Sequence, residues 1–188
     1  MTKEELNKII VTDPEQLRQP CFLVKPEEYP EVQKLLTEHF TGNELGLAAN
    51  QIGVQKKAII AKLKYGTHVF INPRIELASP EKVRSTEHCL SLPGIEWSLL
   101  RHAWVRVNAD AIRVGDVPVP GPMRLRGEDA CVFQHEYDHT NGILMTDHTR
   151  VESQKEKDNR LRAIEYRKLE KRRARRKVQR NARKRQRR

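Results

Sequence analysis

A chain of 188 residues is long enough for one domain of ordinary size with a real core, and not comfortably for two. Its hydrophobic content of 37% and mean hydropathy of −0.75 imply that part of the chain is not core at all. The formal charge of +11 is unevenly spread: from Arg150 onward there are 19 Lys and Arg against 5 Asp and Glu, so residues 1–149 are mildly acidic and the basic excess belongs to the tail. No uninterrupted apolar run approaches membrane-spanning length, and the first residues lack a basic stretch followed by an apolar one. Cys21, Cys89 and Cys131 are odd in number and widely spaced, which argues against a disulfide framework. These features predict a soluble, cytoplasmic protein that does not act on a membrane.

In chain order, residues 1–26 carry a short amphipathic piece interrupted by Pro14 and Pro20 and read as a loosely held lead-in. Residues 28–40 place Val32, Leu35, Leu36 and His39 or Phe40 on one face, the spacing of an amphipathic helix, and Thr41-Gly42-Asn43 ends it. In the next stretch, Gly46, Ala48 and Ala49 are small enough for close backbone approach, by a neighbouring element or by an extended ligand.

Residues 57–63 and 67–77 read as strands, and 85–94 runs extended into a turn. Residues 103–112 alternate between Val105, Val107, Ala109 and Ala111 on one side and Arg106, Asn108 and Asp110 on the other, the pattern of a half-buried strand. Three prolines make 117–125 an edge strand or a bent connection. A helix opens near Gly127-Glu128-Asp129 and stops at Asn141-Gly142. Beyond residue 150 the composition favours helix, with a thin apolar stripe of Leu161, Ile164 and Leu169. An almost wholly basic run follows, helical or disordered, since like charges at helical spacing repel. The fold expected is α+β, with antiparallel strands wrapped around a central metal-binding helix. Residues 1–149 form the catalytic domain and 150–188 a basic extension.

The central helix carries Gln134-His135-Glu136-Tyr137-Asp138-His139. On a helix, His135 and His139 share a face with Cβ atoms about 5–6 Å apart, close enough to hold one metal ion, and Glu136 then stands beside the ion as a general base. Metal-dependent hydrolysis needs three protein ligands and an open position. Asp147 and His148 downstream and Cys89 upstream are the candidates for the third.

Three stretches in order, Gly46-Leu47-Ala48-Ala49-Asn50-Gln51, Glu87-His88-Cys89-Leu90-Ser91 and the His-Glu helix, resemble the signature motifs of peptide deformylase over roughly residues 30–148. Two positions depart from that pattern: Glu44 and His88 stand where the family generally has glycine, which bears on the shape of the groove. The resemblance implies that Cys89, His135 and His139 bind one divalent metal, Fe(II) first, with Zn(II), Ni(II) or Co(II) as alternatives. Glu136 is then the catalytic acid/base, the Gln51 amide and the Leu90 backbone N–H bind the oxyanion, and Gly46 belongs to the substrate groove. Water activated at the metal would attack the formyl carbon of a nascent N-formylmethionyl peptide, releasing formate. The basic tail resembles the ribosome-docking extension of bacterial members in position and charge, which makes ribosomal RNA its expected partner.

Further readings stay open at this stage. Cys131 lies one helical turn before His135 and either lines the pocket or packs in the core; Asp138 either orients a ligand or is a surface carboxylate. A zinc peptidase with a downstream ligand, and an RNA-binding module with a structural metal, are rival functions.

Overall fold

The structure is a computed structural model that describes Glu5 and residues 9–186. The rest of the lead-in and the last two arginines of the tail lie outside the described residues. Two compact units are present, one ending at Val151 and the other beginning at Glu152.

The first unit is built on a five-stranded antiparallel sheet in the order β1 (Gly46–Ala48), β2 (Ala58–Leu63), β3 (Gly66–Ile71), β8 (Ala111–Val114), β9 (Val117–Pro118). Both of its faces are covered, and the sequence alternates accordingly. Ile59 and Ala61 of β2 and Phe70 of β3 face a cluster with Ala130, Val132 and Phe133 of helix α3 (Glu128–Thr140). Their neighbours Ala58, Ile60, Val69 and Ile71 face Val32 and Leu36 of helix α2 (Tyr29–His39) on the other side. Strands β10 (Met123–Arg126), β7 (Trp104–Asn108) and β4 (Arg74–Ala78) make a second sheet. Strands β5 (Lys82–Cys89) and β6 (Leu92–His102) pair as a hairpin.

Four sequence expectations change here. The lead-in is held rather than loose: Leu17, in the short helix α1 (Pro14–Leu17), is fully buried, and Val24 is buried as well. Val24 exchanges both backbone hydrogen bonds with the Asn72 side chain. The strand expected over 67–77 breaks at this same Asn72, which adopts φ 51°, a left-handed conformation that asparagine tolerates better than most residues. The strand expected over 103–112 also divides, because Asp110 is drawn onto Asn72 and Arg74. Val105 and Val107 therefore stay in the three-stranded sheet while Ile112 joins the larger one. Finally, residues 92–102 form a long strand where Pro93-Gly94 had suggested only a turn.

Helix α3 stops where expected. The Gly142 N–H bonds the His139 carbonyl and the Ile143 N–H that of Asp138, with Gly142 at φ 70°. A Cβ on Gly142 would lie 2.8 Å from the Arg18 carbonyl, so the position is closed to side chains on two grounds. In the second unit, helix α4 (Gln154–Gln186) carries the basic run, and Leu161, Ile164 and Leu169 are exposed along it.

Candidate metal centre and active site

Helix α3 presents His135, Glu136 and His139 as buried residues, alongside the apolar Ala130, Val132 and Phe133 and the buried polar Gln134 and Thr140. The hairpin delivers the third group. Between His88 and Cys89 the pairing of β5 with β6 slips by a bulge, which re-aims the last residue of the strand, and Cys89 comes to lie against His139 with Sγ 3.2 Å from Nε2. One ligand atom from each of Cys89, His135 and His139 lies within 4.8 Å of the others. Among the described residues this is the one cluster of its kind.

Both downstream candidates for the third ligand are spent elsewhere. The Asp147 carboxylate takes two hydrogen bonds of 2.6 Å from Arg18, and His148 bonds Asp138.

Both histidines are supported from outside the helix. His135 Nδ1 lies 2.8 Å from Glu87 Oε2, so with Nδ1 as donor its Nε2 is left to face an ion. Arg101 clamps the same carboxylate through Nε and Nη2 and reaches Asp138 through Nη1. Burial pushes the Glu87 carboxyl up, but hydrogen bonds from Arg101 and His135 outweigh it and hold it at about 2. The backbone carbonyl of His139 accepts a 2.7 Å bond from Asn50, whose Nδ2 also reaches Leu17 of the lead-in. Glu87, Arg101 and Asn50 were not assigned roles from the sequence. Glu87 stands inside a quoted motif two residues before Cys89, and on a strand that spacing puts it on the same face. Arg101 sits on a strand that the sequence concealed.

Gln51 lies in a 3₁₀ turn (Ala49–Ile52) directly after β1. Its Oε1 accepts from the Ala48 N–H at 2.8 Å, which turns Nε2 toward Ser91 Oγ at 3.2 Å and Cys89 Sγ at 3.6 Å. Leu90 and Gly46 line the same cavity, of about 430 Å³. Gly46 has a steric reason to be glycine, since a Cβ there would lie 2.5 Å from Glu136 Oε1. Cys131 is half-buried and also lines the cavity, so it is not a plain core cysteine. Asp138 contacts no ligand directly; it reaches His135 only through Arg101 and Glu87. Glu44 folds back onto the Thr41 N–H and hydroxyl at 2.6 Å, and His88 lies exposed 3.5 Å from Glu96.

The donor set fits a divalent cation. Burial pushes Glu136 up to about 7, and its Oε2 and the His139 Nδ1 are buried atoms with no hydrogen-bond partner. Burial and the neighbouring His135 lower the pKa of His139, which favours the neutral imidazole a metal requires. One thiolate and two imidazoles are ligands that several first-row metals accept.

The polypeptide deformylase family model matches residues 6–156 of this chain. The peptide deformylase of Desulfitobacterium hafniense is 35% identical over 154 residues, 79% of this chain and 97% of the relative. A probable peptide deformylase from Synechococcus phage S-SSM7 superposes with a TM-score of 0.64 at 32% identity, covering 74% of this chain and 98% of the phage protein. The Thermotoga maritima enzyme gives 0.65 at 28% identity, over 76% and 97%. A motif in three parts, a hairpin that brings a thiol to two helical imidazoles, and a family match over most of the first unit all agree: this chain belongs to the polypeptide deformylase family.

Proposed function

We propose that Cys89, His135 and His139 hold one divalent ion and that Glu136 moves the proton in hydrolysis of the N-formyl group of formylmethionyl peptides. The observation that carries this reading is the unpartnered Glu136 carboxylate oxygen, buried in the cavity wall beside three clustered ligand atoms. An ion bound there supplies Lewis-acid polarisation and a water acidified toward a pKa of about 7.

The chain's own residues do the rest. Gln51 Nε2 and the Leu90 N–H donate to the oxygen of the formyl carbonyl as it gains charge; Ala48 and Ser91 hold the Gln51 amide, and the Nε2 hydrogen now on Cys89 Sγ at 3.6 Å is the one that turns to the substrate. Glu136, held nearly neutral-balanced by burial, accepts the proton from the attacking water and returns it to the departing amine nitrogen. The water oxygen adds to the formyl carbon, the C–N bond breaks, and formate and a free methionyl amine leave. Leu45, Cys131 and Val132 give the cavity an apolar wall for the unbranched methionine side chain.

We take the ion to be Fe(II), with Zn(II), Ni(II) and Co(II) as alternatives the donor set tolerates. The cysteines are free, as suits the reducing cytoplasm where nascent chains are made. No helix among the described residues is long and apolar enough to cross a membrane. We assign catalysis to the first unit and contact with ribosomal RNA to the basic helix α4. The test is anaerobic incubation of Fe(II)-loaded protein with a formyl-Met peptide, following formate. Release from the wild type and none from Glu136→Ala supports the reading; no release from loaded wild type ends it.

A further inference from the structure

His148 is the outermost member of a line of side chains that ends at the metal centre. It follows the short 3₁₀ turn Met145–Asp147, and its backbone is pinned on both sides: its N–H bonds the Met145 carbonyl and its carbonyl accepts from the Trp97 indole at 3.1 Å. The imidazole is therefore delivered to one place. Its Nε2 lies 2.7 Å from Asp138 Oδ2, and because an ionised carboxylate has no proton to give, Nε2 is the donor. Arg101 Nη1 donates to the same oxygen and lies 3.4 Å from Nε2.

Inward from that oxygen the side chains are progressively committed. Arg101 is 4% exposed and has one guanidinium for two carboxylates, with two nitrogens on Glu87 and the third on Asp138. Glu87 in turn holds His135 Nδ1. A planar guanidinium bonded along both edges cannot tilt unless one carboxylate moves. Asp138 has its own anchor in His148, whereas Glu87 depends on Arg101 and on the ligand it orients. We infer that His148 is a positioning residue: by fixing Asp138 Oδ2 it fixes the plane of Arg101, and through Glu87 it fixes the ring of His135 for metal binding. The inference rests on the metal reading above and adds to it a residue without a ligand's place.

Groups that bond a ligand directly, as Glu87 bonds His135, change metal affinity by about 10- to 100-fold when removed, and His148 acts three residues further out, so a loss of about three- to tenfold is expected. The experiment titrates the full chain with Co(II) under anaerobic conditions, following thiolate-to-cobalt absorption against a competing chelator, with thermal unfolding to confirm that each variant is folded. His148→Phe, which keeps a ring without the donor, should bind Co(II) three- to tenfold more weakly. His148→Gln, whose Nε2 can donate to the same oxygen, should restore most of the affinity. In an Asp138→Asn background, His148→Phe should cost nothing further. With Fe(II) limiting, the His148→Phe loss should appear in kcat with KM unchanged. Affinity within twofold of wild type in His148→Phe, or an equal loss in the presence and absence of Asp138, overturns the role. Wild-type protein that takes up no cobalt overturns the metal site itself, and the role with it.

Discussion

Gly46 and Glu136 share a space that one of them must leave empty. A methyl group on residue 46 would meet the Glu136 carboxylate at 2.5 Å, and since residue 46 is fixed in β1 the carboxylate has to move. Gly46→Ala is therefore expected to lower kcat by about 100-fold, the usual cost of a shift near 1 Å in a reacting group, while thermal stability changes little. Steady-state kinetics on a formyl-Met peptide checks it. At Gln51 the amide is held by one accepted and two donated contacts, so Gln51→Ala removes a donor already aimed at the site. A fall in kcat of about 100- to 1,000-fold is expected, with Co(II) binding retained because no ligand is lost. That His135 and His139 stand side by side could be read from spacing, since a helix puts i and i+4 together whatever surrounds it. That Glu87 and Arg101 meet could not, because it depends on which strand lies across from which.

At the scale of elements, the lead-in shows how far packing overrides local pattern. A short amphipathic piece with prolines at 14 and 20 suggests weak attachment, yet Leu17 is fully buried and Asn50 bridges its carbonyl to the helix that carries both histidines. The lead-in is also tied to the segment after α3 through Arg18 and Asp147. The hydrogen bond from Arg18 holds the Asp147 carboxyl below the usual aspartate range, so its folded pKa is lower than its unfolded one. The stability this contributes is present above the unfolded value near 3.9 and is lost as pH falls through the folded value. Both side chains are about a third or more exposed, so the pair contributes well under about 1 kcal/mol. Urea midpoints of wild type and Asp147→Asn should differ slightly at pH 6 and converge as pH falls through the lowered folded pKa of Asp147.

Helix α3 is the more vulnerable element. Phe133 is fully buried with its ring edge-on to Phe70 at 5.1 Å, and Phe133→Ala should cost about 3–5 kcal/mol in urea unfolding. Helix α2 was legible because it buries one face, at Val32 and Leu36, and α3 because acidic residues open it and Asn141-Gly142 stops it, although α3 is buried on more than one side. The breaks at Asn72 and Asp110 were not, since both are set by hydrogen bonds to each other and to Val24, residues far apart in sequence.

For the whole molecule, the division of charge is the organising fact. The first unit supplies a cavity whose only charged lining residues, histidines aside, are glutamates, and the second supplies the net positive charge on a helix whose apolar residues Leu161, Ile164 and Leu169 are exposed. A helix of that kind gains little from burial and is repelled by its own charges, so an anionic partner stabilises it. A chain ending at Val151 should keep its turnover of a short formyl peptide and lose salt-sensitive pelleting with ribosomes. Binding by the full chain should weaken with salt along a log–log slope of about −0.7 to −0.9 for each phosphate contacted. Unchanged pelleting after truncation would remove α4 from the interface.

What the sequence by itself determined is local: two imidazoles on one helix face with a carboxylate beside the first, a helix stop at Asn141-Gly142, and a basic tail separate in charge from the body. Resemblance then singled out Cys89 from the candidate third ligands and added Gln51. The tertiary structure decided what spacing cannot express. A bulge turns Cys89 onto His139, Arg101 crosses from a neighbouring strand to hold Glu87, and Gly46 leaves the room that Glu136 occupies. The physical reason is one of range. Helical and strand periods fix which side chains share a face within an element, whereas a metal centre closes between elements, where pairing register and the burial of each carboxylate settle the geometry.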